Sequence, residues 1–315
     1  MYRDPDDAKF NRLVQKIVPQ GRLRRVWPLL GGLAAVMHGL EVALPDGGTR
    51  KLVVRRFGGE ALTDNLPAAA NEFHLLHITR AAGLPTPTPY YFDISGEIFP
   101  TPYLVIEYME GEMLFAPTHT DLYVTQLATH LARIHQVDGV KFDLTFLPVR
   151  SNCCPELGRE PPAPVDPVLN ETQIRQVLTA VKHLPPGNAA ALLHGDFWPG
   201  NSLWQGDKLV AVIDWEDAEW GDPLIDLARS RAEIAWIFGL EAMHQFTTQY
   251  QALMSLDYSG LPYWDLCAAL RFIRLFGTNL VGAAAYFTPF GRPDLTAPSI
   301  RNNICSFVEQ AIFAG

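Results

Sequence analysis

Cysteine, uncharged apolar runs and basic charge are all scarce in this 315-residue chain, and each shortage excludes something. The four cysteines, Cys153, Cys154, Cys267 and Cys305, form neither paired zinc-ligand spacing nor a disulfide framework. They suit a reducing cytoplasm and are read as small buried or loop residues. The most membrane-like stretch, residues 267–287, carries Arg271 and Arg274 near its middle, where burial in lipid is expensive. It reads as a packed amphipathic helix, and no membrane partner is expected. Lys and Arg number 25 against 34 Asp and Glu, a net charge of −9, so a nucleic-acid partner would need a local basic patch. The longest basic cluster, Arg22 to Arg25, is interrupted by Leu23 and reads as a solvated turn; no nucleic-acid partner is expected. The start, Met1-Tyr-Arg-Asp-Pro-Asp-Asp, is acidic with no apolar core behind it, so it does not read as a secretion signal and the mature chain is expected to begin there. No internal repeat or low-complexity tract appears.

What is present is core material: 48% of residues are apolar and 11% aromatic. At roughly 150 residues per domain the length suggests two domains or one two-lobed unit. From about Trp27 to Tyr108 the pattern is mostly strand. Residues 37–44 and 50–57 flank Pro45-Asp46-Gly47-Gly48, a hairpin signal, and residues 90–94 and 101–108 flank Ser95-Gly96, a second. Between them lies one helix: Asn65 offers a cap, Pro67 fits the first turn, Phe73, Leu76 and Ala81 fall at helical intervals, and Gly83 closes it. After residue 110 the period becomes helical over 121–135, 170–184 and three patterns from 222 to 313, with a loop or insertion at 136–168. The expected architecture is α+β: an antiparallel-sheet lobe with one main helix over 1–110, then a larger helical lobe over 111–315.

Between His183 and Glu216 the helical period stops and short apolar runs alternate with turn residues, a setting suited to chemistry. There the chain reads His194-Gly-Asp-Phe-Trp-Pro-Gly-Asn201, and Asp214 follows in Val212-Ile-Asp-Trp-Glu. A carboxylate and a carboxamide five apart on a tight loop, with a second carboxylate closing a strand, can hold magnesium and orient a hydroxyl nucleophile. His-x-Asp-x-x-x-x-Asn is also the spacing of the kinase catalytic loop. On spacing alone, Asp196 and Asn201 can equally be turn formers and Asp214 a cap. Other parts follow in a fixed order. Gly31 and Gly32 sit at the first turn of the strand lobe, where glycines let amides approach a triphosphate. Leu52-Val53-Val54-Arg55 occupies the strand that would carry a cation to phosphate, with Glu72 on the next helix as its partner. At the lobe boundary the carbonyl of Glu107 and the amide of Met109 could bracket an adenine edge.

With these parts in order, the chain resembles the aminoglycoside phosphotransferase and choline kinase-like small-molecule kinases, relatives of the protein kinases. The likeness is most specific in Leu192-Leu-His-Gly-Asp-Phe-Trp-Pro-Gly-Asn201 and Ile213-Asp-Trp-Glu-Asp-Ala-Glu-Trp-Gly-Asp-Pro223, and extends to Leu131-Ala-Arg-Ile-His135 and Gly221-Asp-Pro-Leu-Ile-Asp226 as scaffold. It implies a protein kinase-like fold, ATP as donor with GTP as the other candidate, and magnesium. It further implies that Asp196 is the base on the acceptor hydroxyl, that Asn201 and Asp214 ligate the metal, that His194 braces the loop, and that Glu107 and Met109 lie against adenine; strand alternation, for its part, puts Val53 and Arg55 on one face, suitable for adenine and phosphates, and Leu52, Val54 and Arg56 on the other. Two positions depart from the family: Arg55 replaces the usual phosphate-binding Lys, and Ala34 the Ser or Thr often found after the glycines. Arginine can still grip phosphate, bidentately.

Other chemistry is poorly supported. His74 with His77, and His130 with His135, lack a third ligand, and Ser202 lacks a nucleophile elbow. The expected function is phosphorylation of a small-molecule hydroxyl; a nucleotide-binding module without turnover is the alternative, and a protein-substrate kinase is disfavoured because no Ala-Pro-Glu segment follows Asp214. Residues 216–315 hold eleven acidic residues against six Arg and no Lys, which points to an amino-bearing acceptor or simply to an acidic surface.

Overall fold

The computed structural model describes residues 6–29, 35–58, 68–151, 153–161, 167–181 and 187–314. Gly31, Gly32, Ala34, Asn65 and Pro67 lie outside them. The chain divides into two compact units, Met1–Glu110 and Gly111–Gly315.

The first unit is an antiparallel five-stranded sheet in the order β1-β2-β3-β5-β4, built from β1 (Arg22–Leu29), β2 (Ala35–Ala43), β3 (Thr49–Phe57), β4 (Pro89–Asp93) and β5 (Tyr103–Glu107). Both hairpins form where turn chemistry places them: Asp46 Oδ1 accepts from the Gly48 amide at 2.8 Å, and Asp93 Oδ1 from the Ser95 amide at 2.7 Å. The Arg22 to Arg25 cluster is the start of β1 rather than a turn. Its charged side chains occupy an edge strand, where unpaired backbone benefits from polar cover. Helix α1 (Asp7–Ile17) also departs from the sequence reading, which took the N-terminus only as an acidic start. Its Phe10, Leu13 and Val14 pack into a core with Leu40, Val42, Leu52, Val54 and Val105. Leu52 and Val54 therefore face α1. By strand alternation Val53 and Arg55 face the other side, where α2 (Ala68–Ala81) contacts β4 and β5.

The second unit is mainly helical. The principal elements are α3 (Thr120–His135), α4 (Glu171–Ala180), α5 (Leu224–Phe238), α6 (Leu240–Leu253), α7 (Leu261–Phe276), α8 (Leu280–Phe287) and α9 (Ala297–Ala314). Helix α5 is central, packing on α6, α7 and α9, and nearly all its residues are buried. It is tied to α7 by a bidentate pair, Arg231 Nε and Nη2 each 3.0 Å from an Asp265 carboxyl oxygen. The apolar stretch 267–287 is two helices bent by 89°, because Asn279 caps a new helix by accepting from the Gly282 amide at 2.8 Å. No single described helix is long and apolar enough to cross a membrane. Between α4 and α5 run two small antiparallel pairs: β6 (Ala191–Leu193) with β9 (Glu219–Gly221), and β7 (Ser202–Gln205) with β8 (Lys208–Val212). Trp204 on β7 stacks on Tyr123 of α3 at 4.3 Å and fixes the β7–β8 hairpin to the helices.

Because Phe10 is fully buried and touches the rings of His38 and Phe99, Phe10→Ala should cost the first unit about 3 to 5 kcal/mol. Native-state hydrogen exchange checks it: β2 and β3 amides should lose protection while α5 amides keep theirs.

Candidate active site

In the first unit, the structure joins Arg55 to Glu72. Both side chains are buried, and Arg55 Nη1 lies 3.0 Å from Glu72 Oε1. Arg56 leaves the opposite face, pairing with Asp6 at 2.7 Å and lying over the Phe99 ring. One residue of register separates a buried cation held by a helix carboxylate from a cation serving α1. Val53 is buried beside it and pairs with Ile106. Glu107 ends β5, where its carboxylate accepts from the amide and hydroxyl of Thr88 and approaches Arg80 at 3.8 Å. Met109 follows in the irregular segment after β5.

In the second unit the sequence island folds into one connected loop system. β6 delivers His194 and Gly195, a short 3-10 turn over Pro199–Asn201 delivers Asn201 to β7, and β8 delivers Asp214. The His194 ring is buried; its Nδ1 accepts from the Asp196 amide at 3.3 Å, so its proton sits on Nε2 and is donated to the Ile213 carbonyl at 3.0 Å. The Ile213 amide in turn donates to the Asn201 carbonyl at 2.9 Å. The residue before Asp214 is thus bonded to both ends of the catalytic-type loop. Asp214 itself has φ of +67°, a left-handed conformation that Asp tolerates and that costs strain for most side chains. Asn201 Nδ2 donates to the Asp196 carbonyl at 2.9 Å and to Asp196 Oδ2 at 3.1 Å.

Gly195 is required by space as well as conformation. Its φ is +81°, and a Cβ built there would fall 1.8 Å from the Asp217 carbonyl oxygen. This close approach brings the segment after Asp214 against the loop. Although Asp217 as a residue is exposed, its carboxyl is pushed up by desolvation and by the neighbouring Asp196 and Asp214.

The loop rests on one face of α5. Asp226, fully buried, accepts from the His194 amide at 2.6 Å and the Gly195 amide at 3.1 Å, Arg229 donates to the Gly195 carbonyl, and Ser230 Oγ donates to the Phe197 carbonyl at 2.8 Å. These are positions i, i+3 and i+4, which share a helix face. His135 approaches Asp226 at 3.5 Å and is held by Tyr250 at 2.6 Å. Burial opposes the Asp226 charge, yet His135, Arg229 and His194 together outweigh it and hold the carboxyl below its ordinary value.

Sequence reasoning missed the residue that touches the candidate base. Arg271 Nη2 lies 2.7 Å from Asp196 Oδ1, and its Nη1 lies 3.6 Å from Glu233 Oε1. The signal was available: an arginine inside an otherwise apolar helix needs a carboxylate partner. Glu233 also accepts from Trp236 Nε1 at 2.8 Å.

Asn201 and Asp214 supply hard oxygen donors. Asn201 turns its amide nitrogen to Asp196, which directs its oxygen, the atom able to ligate a cation, elsewhere. Among the described residues no group of three or more His, Cys, Asp or Glu is arranged to hold a metal ion. A carboxylate and a carboxamide nevertheless fit magnesium, which binds few protein ligands and completes its octahedron with water and phosphate oxygens.

The model of the phosphotransferase enzyme family matches residues 35–265. Among curated proteins, the mouse acyl-CoA dehydrogenase family member 10 is 27% identical over 197 residues, covering 58% of this chain but 18% of that protein. The chain therefore spans less than a fifth of that relative. Among solved structures, macrolide 2′-phosphotransferase type I has a TM-score of 0.63 at 17% identity, covering 96% of this chain and 97% of its own. Spectinomycin phosphotransferase, solved with ADP and spectinomycin, has a TM-score of 0.64 at 13% identity, covering 97% and 98%. The fold is that of the protein kinase-like phosphotransferases.

Burial, reinforced by Asp196 and opposed by Arg271, pushes Glu233 up to about 7. A carboxyl that holds its proton more tightly when folded favours folding fully below its ordinary value of 4.5, and that contribution is lost as pH rises through about 7. Glu233→Gln should flatten this loss, since the amide oxygen still accepts from Trp236. Thermal melts of both proteins across that interval check it.

Proposed function

The chain belongs to the phosphotransferase enzyme family, and from that premise we propose that it moves the γ-phosphate of ATP, or of GTP, to a hydroxyl of a small molecule in the cytoplasm. The observation that carries the reading is the state of Asp196. Its carboxylate is oriented by Asn201 and Arg271 on a loop fixed to Asp226, and its neighbour in space is the segment bearing Asp214. In the step, the acceptor oxygen bonds to the γ-phosphorus while the bond to the bridging oxygen of the departing diphosphate breaks. Asp196 takes the hydroxyl proton. Asn201 and Asp214 would hold magnesium, which when bound offsets charge on the phosphate oxygens. Arg55, aligned by Glu72, binds nucleotide phosphate in place of the family's lysine, and Glu107 and Met109 present backbone to adenine.

The test is ADP release over a panel of small alcohols, beside nucleotide-dependent thermal shift. Asp196→Asn should cut turnover by about 100-fold or more while nucleotide affinity stays within a few-fold, because the carboxylate acts on the acceptor. A thermal shift with no turnover on any acceptor would favour the nucleotide-binding module instead. Arg55→Ala should weaken nucleotide binding about tenfold, the loss of one charged hydrogen bond. Because that variant also removes a buried cation beside Glu72, Arg55→Lys is the companion and should restore most of the binding. Arg56→Ala, on the opposite face, should leave nucleotide affinity unchanged.

A further inference from the structure

Helix α7 meets the short 3-10 turn Pro155–Gly158 along one stripe. Tyr263, Cys267 and Arg274 stand at positions i, i+4 and i+11 of the helix, within about 40° of one another around its axis. The first is tied to residue 154, the Cys154 amide donating to the Tyr263 hydroxyl at 3.2 Å, and the last to residue 156, Arg274 Nε donating to Glu156 Oε2 at 2.8 Å. Cys267 lies between these two ties and faces Cys154, and the two thiols are in hydrogen-bond contact. The Tyr263 hydroxyl also touches the Cys267 sulfur, so it bridges both cysteines. Both carry free thiols and both are buried. Cys154 keeps 5% of its surface open and follows the exposed Cys153, which places it near the rim of the fold, within reach of a small oxidant.

A thiol buried among apolar groups holds its proton and is inert. Cys267 fits that description: burial, and then its hydrogen bond to Cys154, push its thiol up. Cys154 does not. The hydrogen bond with Cys267 holds it below the ordinary thiol value, helped by the amides of Glu156 and Leu157 in the 3-10 turn, against burial and the Glu156 charge. One sulfur is thus set up as the thiolate while the other keeps its proton beside it, the division of roles between a nucleophilic and a resolving cysteine. Filling the core calls for neither the amide contacts nor the pairing. The other two cysteines are turned elsewhere: Cys153 Sγ lies 3.1 Å from Ser151 Oγ, and Cys305 Sγ donates to the Val168 carbonyl at 3.3 Å.

We infer that Cys154 and Cys267 are an oxidisable pair that a hydroperoxide closes into a reversible disulfide, clamping the Pro155–Gly158 turn onto α7. In the first step Cys154 Sγ bonds to a peroxide oxygen and the O–O bond breaks. The departing hydroxide leaves as water with the proton that Cys154 gave up on ionising, and Cys154 becomes a sulfenic acid. In the second step Cys267 Sγ bonds to Cys154 Sγ, the S–O bond breaks, and the hydroxyl leaves as water with the Cys267 proton. Two thiols are oxidised to one disulfide and one hydrogen peroxide is reduced to two waters. The sulfurs close from hydrogen-bond contact to about 2 Å. This inference is independent of the phosphotransferase reading, yet the clamp acts next to the candidate site: Arg271, on the turn of α7 that follows Cys267, is the residue that meets Asp196.

The test treats the reduced full chain with a small excess of hydrogen peroxide, blocks remaining thiols by alkylation, and maps the peptides without reduction by mass spectrometry. The peptide containing Cys153 and Cys154 should be linked to the one containing Cys267, and dithiothreitol should release it. The link should persist in Cys153→Ser and disappear in Cys154→Ser and Cys267→Ala. Thermal melts give the second readout: the oxidised protein should melt about 5 °C or more above the reduced one, because the cross-link closes a long loop in the unfolded chain. Cys267→Ala should show no such rise. The map of the unsubstituted protein needs no variant, so it decides the matter even if a cysteine variant folds poorly. Any of four results would overturn the inference: a Cys153–Cys154 link, a Cys153–Cys267 link, oxidation of Cys154 to the sulfinic acid with Cys267 still alkylated, or a Cys154–Cys267 link that forms only after the protein is unfolded in urea. A link formed in the folded protein that leaves the melting temperature unchanged or lowers it would overturn the clamp.

Discussion

The buried carboxylate of Asp226 is the group on which the second unit's site depends. It is inaccessible to water, and what compensates its charge is two backbone amides of the loop, His194 and Gly195, with His135 behind. A buried carboxylate without such partners would cost several kcal/mol, so helix α5 and the loop form together. That constraint then propagates. Gly195, pinned from below, lies so close to the Asp217 carbonyl that no side chain fits, and His194, with its amide fixed, can span with its ring to Ile213. Asp196 follows directly on Gly195, Asp214 on Ile213, and the Asn201 carbonyl accepts from the Ile213 amide, so all three are arranged by this one set of contacts. The polar scaffold therefore sets the backbone of these three candidate groups, and Arg271 and Asn201 complete the setting of Asp196.

Charge pairing repeats the same economy in both units, with different consequences. Arg55 and Glu72 are buried together in the first unit, where each offsets the other's charge. In the second unit Arg231 and Asp265 join α5 to α7 with two parallel hydrogen bonds, and Arg271, further along α7, meets Glu233 and Asp196. The first of these pairs fixes the helix–helix register. Arg271 uses that register to reach the loop, so a shift of α7 against α5 would move a cation away from the candidate base.

Much of this was legible in the sequence, for identifiable reasons. The Pro-Asp-Gly-Gly turn fixed a hairpin because its constraints are local, and the alternation of Leu52 to Arg56 placed Arg55 and Arg56 on opposite faces. The loop from His194 to Asn201 was visible because its residue types are set by one tight turn. Helix α1 was hidden because its stripe is short, three buried residues in eleven, and follows an acidic start. β1 was hidden because an edge strand with four exposed positions looks like a polar turn. Arg271 could be recognised as costly inside an apolar helix, but its partner Asp196 lies 75 residues away, beyond any periodicity.

The contrast between net charge and local charge follows from the same pairing. A chain with a net charge of −9 would be expected to repel an anionic small molecule. Repulsion at a distance, however, is screened by salt over about 8 to 10 Å, whereas a guanidinium in contact with a ligand is not. What decides the local sign is which charges remain after internal pairing. Around Asp196 several carboxylates are matched internally, Asp226 by backbone amides, Glu233 by Trp236 and Arg271 and Glu156 by Arg274, while Asp217 is pushed up by burial and by Asp196 and Asp214. The arginines have donors to spare, because each guanidinium carries five and the contacts described use one or two. The charge beside the candidate base is thus set by pairing in three dimensions, and a count of charged residues along the chain has no means of showing it.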